Sequence, residues 1–171
     1  MSIYLAKPMS RMEISKLANT LRKLLKLDDT LYVDVVRLLE LALPRIGVDY
    51  DIIEKSRMPQ EALAVPEESL ILIRDDVYHR AIKNDGRARF TIIHEIGHFL
   101  MHRSNRISFA RGDSNVPIYM DPEWQANVFA GEFLMPYDLV KDMDVESVIK
   151  KCGVTRSAAQ TQLSHHKKRR I

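Results

Sequence analysis

Cys152 is the only cysteine in 171 residues. With no partner for an internal disulfide, it predicts a protein of a reducing compartment. No run approaches 18 consecutive apolar residues, so no membrane-spanning helix is predicted. The opening "MSIYLAKPMSRME" lacks the continuous apolar core that a secretory signal needs. These absences predict a cytoplasmic protein. An excess of charge of one sign is nearly lacking as well. The net charge is +3, but residues 167–170, "KKRR", carry four positive charges, and the rest of the chain sums to −1. A broad nucleic-acid-binding face over the whole domain is therefore not expected. There is no internal repeat and no low-complexity stretch beyond that tail.

What is present is a succession of amphipathic segments, long enough together to bury one core. Residues 10–27, "SRMEISKLANTLRKLLKL", place Ile14, Leu17, Ala18, Leu21, Leu24 and Leu25 three and four apart, the spacing of one helix face. Ser10 and Glu13 have the spacing of a capping box. "YVDVVRLLELALPRI" predicts a second helix ending near Pro44. Between 48 and 74, "VDYDIIEK", "ALAV" and "SLILIR" are short, β-branched and aliphatic, and predict two or three antiparallel strands. "DDVYHRAIKNDGRA" is polar, with a turn at Asn84, Asp85 and Gly86. A helix is predicted from about Ala88 to His102, then a loop with Ser108, Gly112, Asp113, Ser114 and Pro117. "DPEWQANVFAGEFLMP" predicts a further helix, with Asp121 as its N-cap, Pro122 first and Pro136 as its stop. "DLVKDM", "VESVIKKC" and "TRSAAQTQLSHH" predict three short helical pieces. The chain reads as one α+β domain over 1–171. N-terminal helices run to 47, a sheet and site core spans 48–136, C-terminal helices cover 137–165, and a basic tail covers 166–171.

The chemistry is concentrated in "RFTIIHEIGHFLMHR", residues 89–103. Residues four apart on a helix differ by about 40° and lie on one face, roughly 6 Å along the axis. His94 and His98 can therefore reach one ion at about 2.0–2.1 Å. Glu95 stands beside the ion's open side, where it can take a proton from water and deliver it to a leaving amine. The alternative is a core helix with two satisfied histidines, and against it stands the cost of burying Glu95 between "FTII" and "FLM".

A third protein ligand is needed. His102 continues the spacing but lies about 12 Å along the axis from His94, too far to share the ion; it reads as a pocket-rim or surface residue. Glu123 and Glu132 remain. Nine residues separate them, about half a turn, so only one can face the metal. Glu123, with the small residues Ala126 and Ala130 at i+3 and i+7, is favoured, and Glu132 reads as a solvated or salt-bridged acid. For stabilising a developing oxyanion, Tyr78, His79, His102 and Tyr119 are the available types near the motif, and the sequence does not choose among them.

"RFTIIHEIGHFLMH" followed by "EWQANVFAGEFLMP" resembles the ImmA/IrrE family of small metallopeptidases. Arg89, Phe90, Thr91, His94, Glu95, Gly97, His98 and His102 match the first half of its pattern. Glu123, Ala126, Asn127, Phe129, Ala130, Leu134, Met135 and Pro136 match the second. Ile93 and Phe133 depart from it without touching the chemistry. The resemblance implies a minimal gluzincin: a zincin-like fold with a sheet of about three strands, the metal helix and a helix supplying Glu123 as ligand. It implies a zinc-dependent endopeptidase whose protein substrate is a repressor-type regulator or antitoxin-like protein, in a mobile-element, stress-response or toxin–antitoxin setting. In such enzymes the substrate is expected along the edge of the sheet.

The alternative reading is a metal-containing interaction module or toxin-type component that binds a regulator or DNA without cleaving it. Mn2+ or Fe2+ would suit the ligand set as well as Zn2+. "VESVIKKCGVTRSAAQTQLSHHKKRR" has the outline of a helix-turn-helix, but its second helix carries no dense basic face. Two helices that pack on the domain, with a basic tail, are the favoured reading over direct DNA contact.

Overall fold

The structure, a computed structural model, describes residues 2–103, 107–111 and 117–169. Helix α1, Arg11–Leu24, starts at the expected capping box. The Ser10 hydroxyl accepts from the Glu13 backbone, and the Glu13 carboxylate accepts from the Ser10 N–H at 2.7 Å. Its apolar face buries Ile14, Ala18 and Leu21. Arg22, on the same helix, is buried too, its guanidinium donating to the carbonyls of Phe133, Leu27 and Thr30. The bonds to Thr30 and Phe133 reach carbonyls in a bend of the chain and at the end of a later helix, while the Leu27 carbonyl also accepts from the Thr30 N–H. The second helix is shorter than its periodicity suggests. One turn, α2 (Val35–Arg37), widens into a π turn at Leu38–Ala42 and a 3-10 turn at Pro44–Ile46.

The sheet comprises β2 (Asp49–Ile53), β3 (Ala62–Val65) and β4 (Leu70–Arg74), in the order β2-β4-β3. It is mixed, not wholly antiparallel as expected: β3 pairs antiparallel with β4, but β2 runs parallel to it. The reason lies in the connection after β2. It is long enough, with a 3-10 turn at Lys55–Arg57, to carry the chain past β4 before β3 begins. β4 is thereby central, with Ile71 and Ile73 fully buried on one face, and β3 is left as an edge.

Three elements were not expected. The polar stretch after β4 forms helix α3, Asp75–Ile82. Strand β1 (Ser2–Ala6) pairs antiparallel with β5 (Ile107–Arg111), so Ser108 lies in a strand and not in a loop. Gly112, Asp113 and Ser114 lie outside the described residues.

Helix α4 runs Gly86–Met101, capped by Asp85, whose carboxylate accepts from the Ala88 N–H at 2.7 Å. Helix α5, Pro122–Leu134, is capped by Asp121 as predicted. The two lie side by side because the contact is made from small residues. Ala126 and Ala130 are fully buried, and a Cβ added at Gly97 would stand 2.9 Å from the Phe129 ring. Three helices follow: α6 (Tyr137–Val140), α7 (Val145–Cys152) and α8 (Arg156–Lys168). The buried Arg89 of α4 donates to the carbonyls of Cys152 and Gly153, both at 3.0 Å, and lies 4.1 Å over the Tyr32 ring, which locks the end of α7 to the metal-motif helix. Cys152 is itself buried, and burial pushes its thiol up to about 11. No helix among the described residues is long and apolar enough to cross a membrane.

The expected tail is partly helix. α8 extends through Lys168, His166 is buried against the Tyr137 ring, and Arg169 reaches Glu132; Arg170 and Ile171 lie outside the described residues. Glu132 is what holds this end down. It is buried, not solvated. It accepts from Ser15 Oγ at 2.8 Å, pairs with Arg11 at 3.5 Å and Arg169 at 3.3 Å, and so joins α1, α5 and α8. Burial raises its pKa, but His166, Arg169 and Ser15 together outweigh that and the net shift is downward.

A carboxylate with a lowered pKa adds stability above its unfolded value, roughly pH 4.3, and loses it as the pH falls through the folded value. Glu132→Ala is accordingly expected to cost roughly 3 kcal/mol at pH 7, because two arginines lose their anion around a cavity. Urea titration of the two proteins at pH 7 and at pH 3.5 tests this. The gap between them should narrow at the lower pH, and an equal gap at both would show that the charge is not what stabilises.

Candidate metal centre

Regular α4 geometry puts His94 and His98 on one face, one turn apart, and α5 brings Glu123 over them from its first turn. Their ligand atoms converge. His94 Nε2 and His98 Nε2 are 2.9 Å apart, and the two Glu123 carboxylate oxygens lie 3.3 Å from the first and 3.2 Å from the second. Ligand atoms about 2.0–2.1 Å from a tetrahedral ion would be roughly 3.3 Å apart, so the cluster has the dimensions of such a site.

Its electrostatics agree. Burial lowers the His94 pKa, yet Glu123, Glu95 and Asn127 overcome that and raise it. The bonds from His94 and His98 hold the Glu123 carboxyl well below the usual carboxylate range. The two shifts describe one mutual attraction, in which an ionised Glu123 and positive charge on the imidazole side favour each other. The donor set of two imidazoles and one carboxylate, with the histidines 14% and 17% exposed and Glu123 68% exposed, fits a divalent ion with its free side toward solvent.

Neighbouring groups orient the ligands. His94 turns Nδ1 to Asn127 Oδ1 at 3.0 Å, which leaves Nε2 for the cluster. His98 turns Nδ1 to His102 Nδ1 at 2.8 Å. Glu95 stands outside the ligand set. Its Oε2 accepts from the backbone N–H of Ala64, on edge strand β3, at 2.8 Å. An open cleft of about 820 Å³ lies beside it, walled by Phe90, Thr91, His94 and Glu95 of α4, Trp124, Asn127 and Val128 of α5, Ala62 of β3, and Ser157, Thr161 and His165 of α8.

The sequence-predicted residues divide accordingly. His94, His98 and Glu123 come together, with Glu95 next to them, while Glu132 faces the α1/α8 side. His102 is not a rim or surface residue. It is buried beneath His98, both ring nitrogens are engaged, and burial brings its pKa down to about 4. The cleft walls include none of the four oxyanion candidates. Tyr78 spends its hydroxyl on Glu40, His79 is exposed on α3, and Tyr119 is half exposed with its carbonyl bonded to Gln125.

Sequence reasoning missed the cleft face of α8. Ser157, Thr161 and His165 recur every four residues, a polar stripe that was available as a signal. It also gave Asn127 and Gln125 no role, although both lie on the helix of Glu123. The two helices of the helix-turn-helix outline are present as α7 and α8, joined at Gly153, and α8 turns this stripe toward the cleft.

Among curated proteins, no sequence matches the chain. The profile of the IrrE N-terminal-like domain family, peptidase M78, matches residues 74–164, from the last residue of β4 into α8, and so takes in the whole cluster and most of the helical wall of the cleft. With more than half of its length covered in this way, the chain belongs to the M78 peptidase family of IrrE N-terminal-like domains.

Proposed function

We propose that this protein is a metal-dependent endopeptidase of the gluzincin type, with His94, His98 and Glu123 as ligands of a zinc ion and Glu95 as general base and acid. Bound there, the ion supplies Lewis acidity: it polarises a peptide carbonyl and makes water easier to deprotonate. Glu95 does the proton work. Its carboxylate takes the proton of the attacking water and returns it to the departing amine nitrogen, which cannot leave as an anion. Asn127 and His102 hold the ligand imidazoles in place. The single observation that carries this reading is the position of Glu95, beside the ligand cluster but outside it, on a cleft wall and anchored to the sheet edge.

The edge also suggests how a substrate lies. Among the described residues no strand covers the side of β3 away from β4, where Glu95 holds the Ala64 N–H; an extended peptide that takes over that N–H would add to β3 as a further strand. That geometry suits an unfolded or loop segment of a partner protein. We take the partner to be a repressor-type DNA-binding regulator, as the family resemblance implies. α8 is read as a wall of the substrate cleft and not as a DNA-reading element.

The test is hydrolysis itself. The purified protein, loaded with one equivalent of zinc and incubated with a candidate regulator, is expected to yield fragments whose new termini mass spectrometry identifies. 1,10-Phenanthroline should stop the reaction and added zinc should restore it. Cleavage that continues after the metal has been removed would exclude this mechanism.

A further inference from the structure

Gln125 is wholly buried on α5, two residues after Glu123. Its side-chain amide donates to the carbonyl of Lys7 at 2.8 Å and to that of Tyr119 at 2.7 Å. Both N–H bonds are thus committed, and the orientation of the amide is fixed. Its oxygen, which can only accept, lies 2.8 Å from His102 Nε2. That nitrogen must carry hydrogen.

A neutral imidazole has one N–H, so His102 Nδ1 is left as an acceptor. It faces His98 Nδ1 at 2.8 Å. His98 must therefore donate, its proton sits on Nδ1, and its Nε2 presents a lone pair to the cluster. Any other placement along the His98–His102–Gln125 line sets two hydrogens or two lone pairs against each other across a 2.8 Å contact, whereas this one turns the Nε2 lone pairs of His98 and His94 toward each other at 2.9 Å, as ligands of one shared cation would be.

We propose that His102 and Gln125 are positioning residues that fix the tautomer of His98, transmitting to the metal ligand a polarity set by the backbone carbonyls of Lys7 and Tyr119. The inference rests on the metal reading of the cluster. His94 reaches the same state in one step, through Asn127. The longer relay makes the ligand state of His98 depend on two segments remote from it in sequence, the chain before α1 and the 3-10 turn at Ile118–Met120. The third histidine of the motif thereby has a role that is neither ligand nor catalyst.

The experiment measures zinc affinity by competition with a chromophoric chelator, together with ring 15N spectra of histidine-labelled protein. In the wild type, with and without zinc, His102 should be protonated on Nε2 and unprotonated on Nδ1. This observation needs no variant and so cannot be lost to misfolding. His102→Leu fills the space without either polar atom, and Gln125→Met removes the amide that orients the relay; each should weaken zinc binding by about 10- to 100-fold. His102→Gln, which offers one acceptor and one donor, should recover most of that loss. Wild-type His102 protonated on Nδ1, or a folded His102→Leu protein that binds zinc within twofold of wild type, overturns the relay. A wild type that binds no zinc overturns the metal reading instead, so the two failures are distinguishable.

Discussion

Glu95→Gln is expected to lower kcat for peptide hydrolysis by roughly a thousandfold while leaving one zinc per chain. Glutamine has the size of glutamate, and its amide oxygen can still accept from the Ala64 N–H that now holds the carboxylate. The cleft wall and the strand β3 beside it should stay as they are. What is lost is basicity, since an amide cannot take a proton from water near neutral pH. The three ligand side chains are untouched, so metal content measured by atomic emission should equal that of the wild type. KM should change little, because a carboxylate acting only in proton transfer binds no part of the ground state. A Glu95→Gln protein that cleaves its partner at the wild-type rate would overturn the assignment. One that no longer cleaves, yet still relieves repression in cells, would point to the binding-module reading instead.

Glu123→Ala should have an effect of similar size by another route. Removing an outer partner of a ligand costs about 10- to 100-fold in metal affinity, so removing the carboxylate that closes the cluster should cost more than about 100-fold. Two histidines on one turn of α4 would remain, a pair that holds zinc weakly. Activity should then return only with excess metal. The fold should tolerate the change, since Glu123 is 68% exposed and an alanine in the first turn of α5 disturbs no buried contact. Glu132→Ala is the matched control: it costs stability but should keep zinc. The opposite pattern, with metal lost from the Glu132 variant and retained in the Glu123 variant, would reverse the ligand assignment.

Local chemistry made much of this legible. Ser10 with Glu13, Asp121 with Pro122, and the four-residue spacing of His94 and His98 each act within a few residues, and the structure has them where the sequence placed them. The small residues Ala126 and Ala130 correctly announced a close helix contact, although Gly97 opposite Phe129 is part of the same contact from the other side. What escaped depends on partners distant in sequence. β1 and β5 are strands because they find each other across about a hundred residues, and neither has an alternation strong enough to declare itself. β2 pairs parallel because of where its connection leads, which no periodicity within the strand records. Helix α3 buries only Val77 and Ala81, too few apolar positions to stand out in a polar stretch. Distance along the helix sets His102 apart from the cluster, but its surroundings depend on Gln125, and Gln125 on Lys7 and Tyr119. The α8 stripe reads as a solvated face until the cleft is seen.

That the cleft has α8 as a wall also sets an order of events during synthesis. Residues 94–98 and Glu123 leave the ribosome well before Ser157, Thr161 and His165, and before the Arg169 that pairs with Glu132. A nascent chain can therefore carry the whole candidate metal-binding cluster while lacking one side of the cleft. On the proposed mechanism, hydrolysis waits for α8, which is made after the residues that would hold the metal.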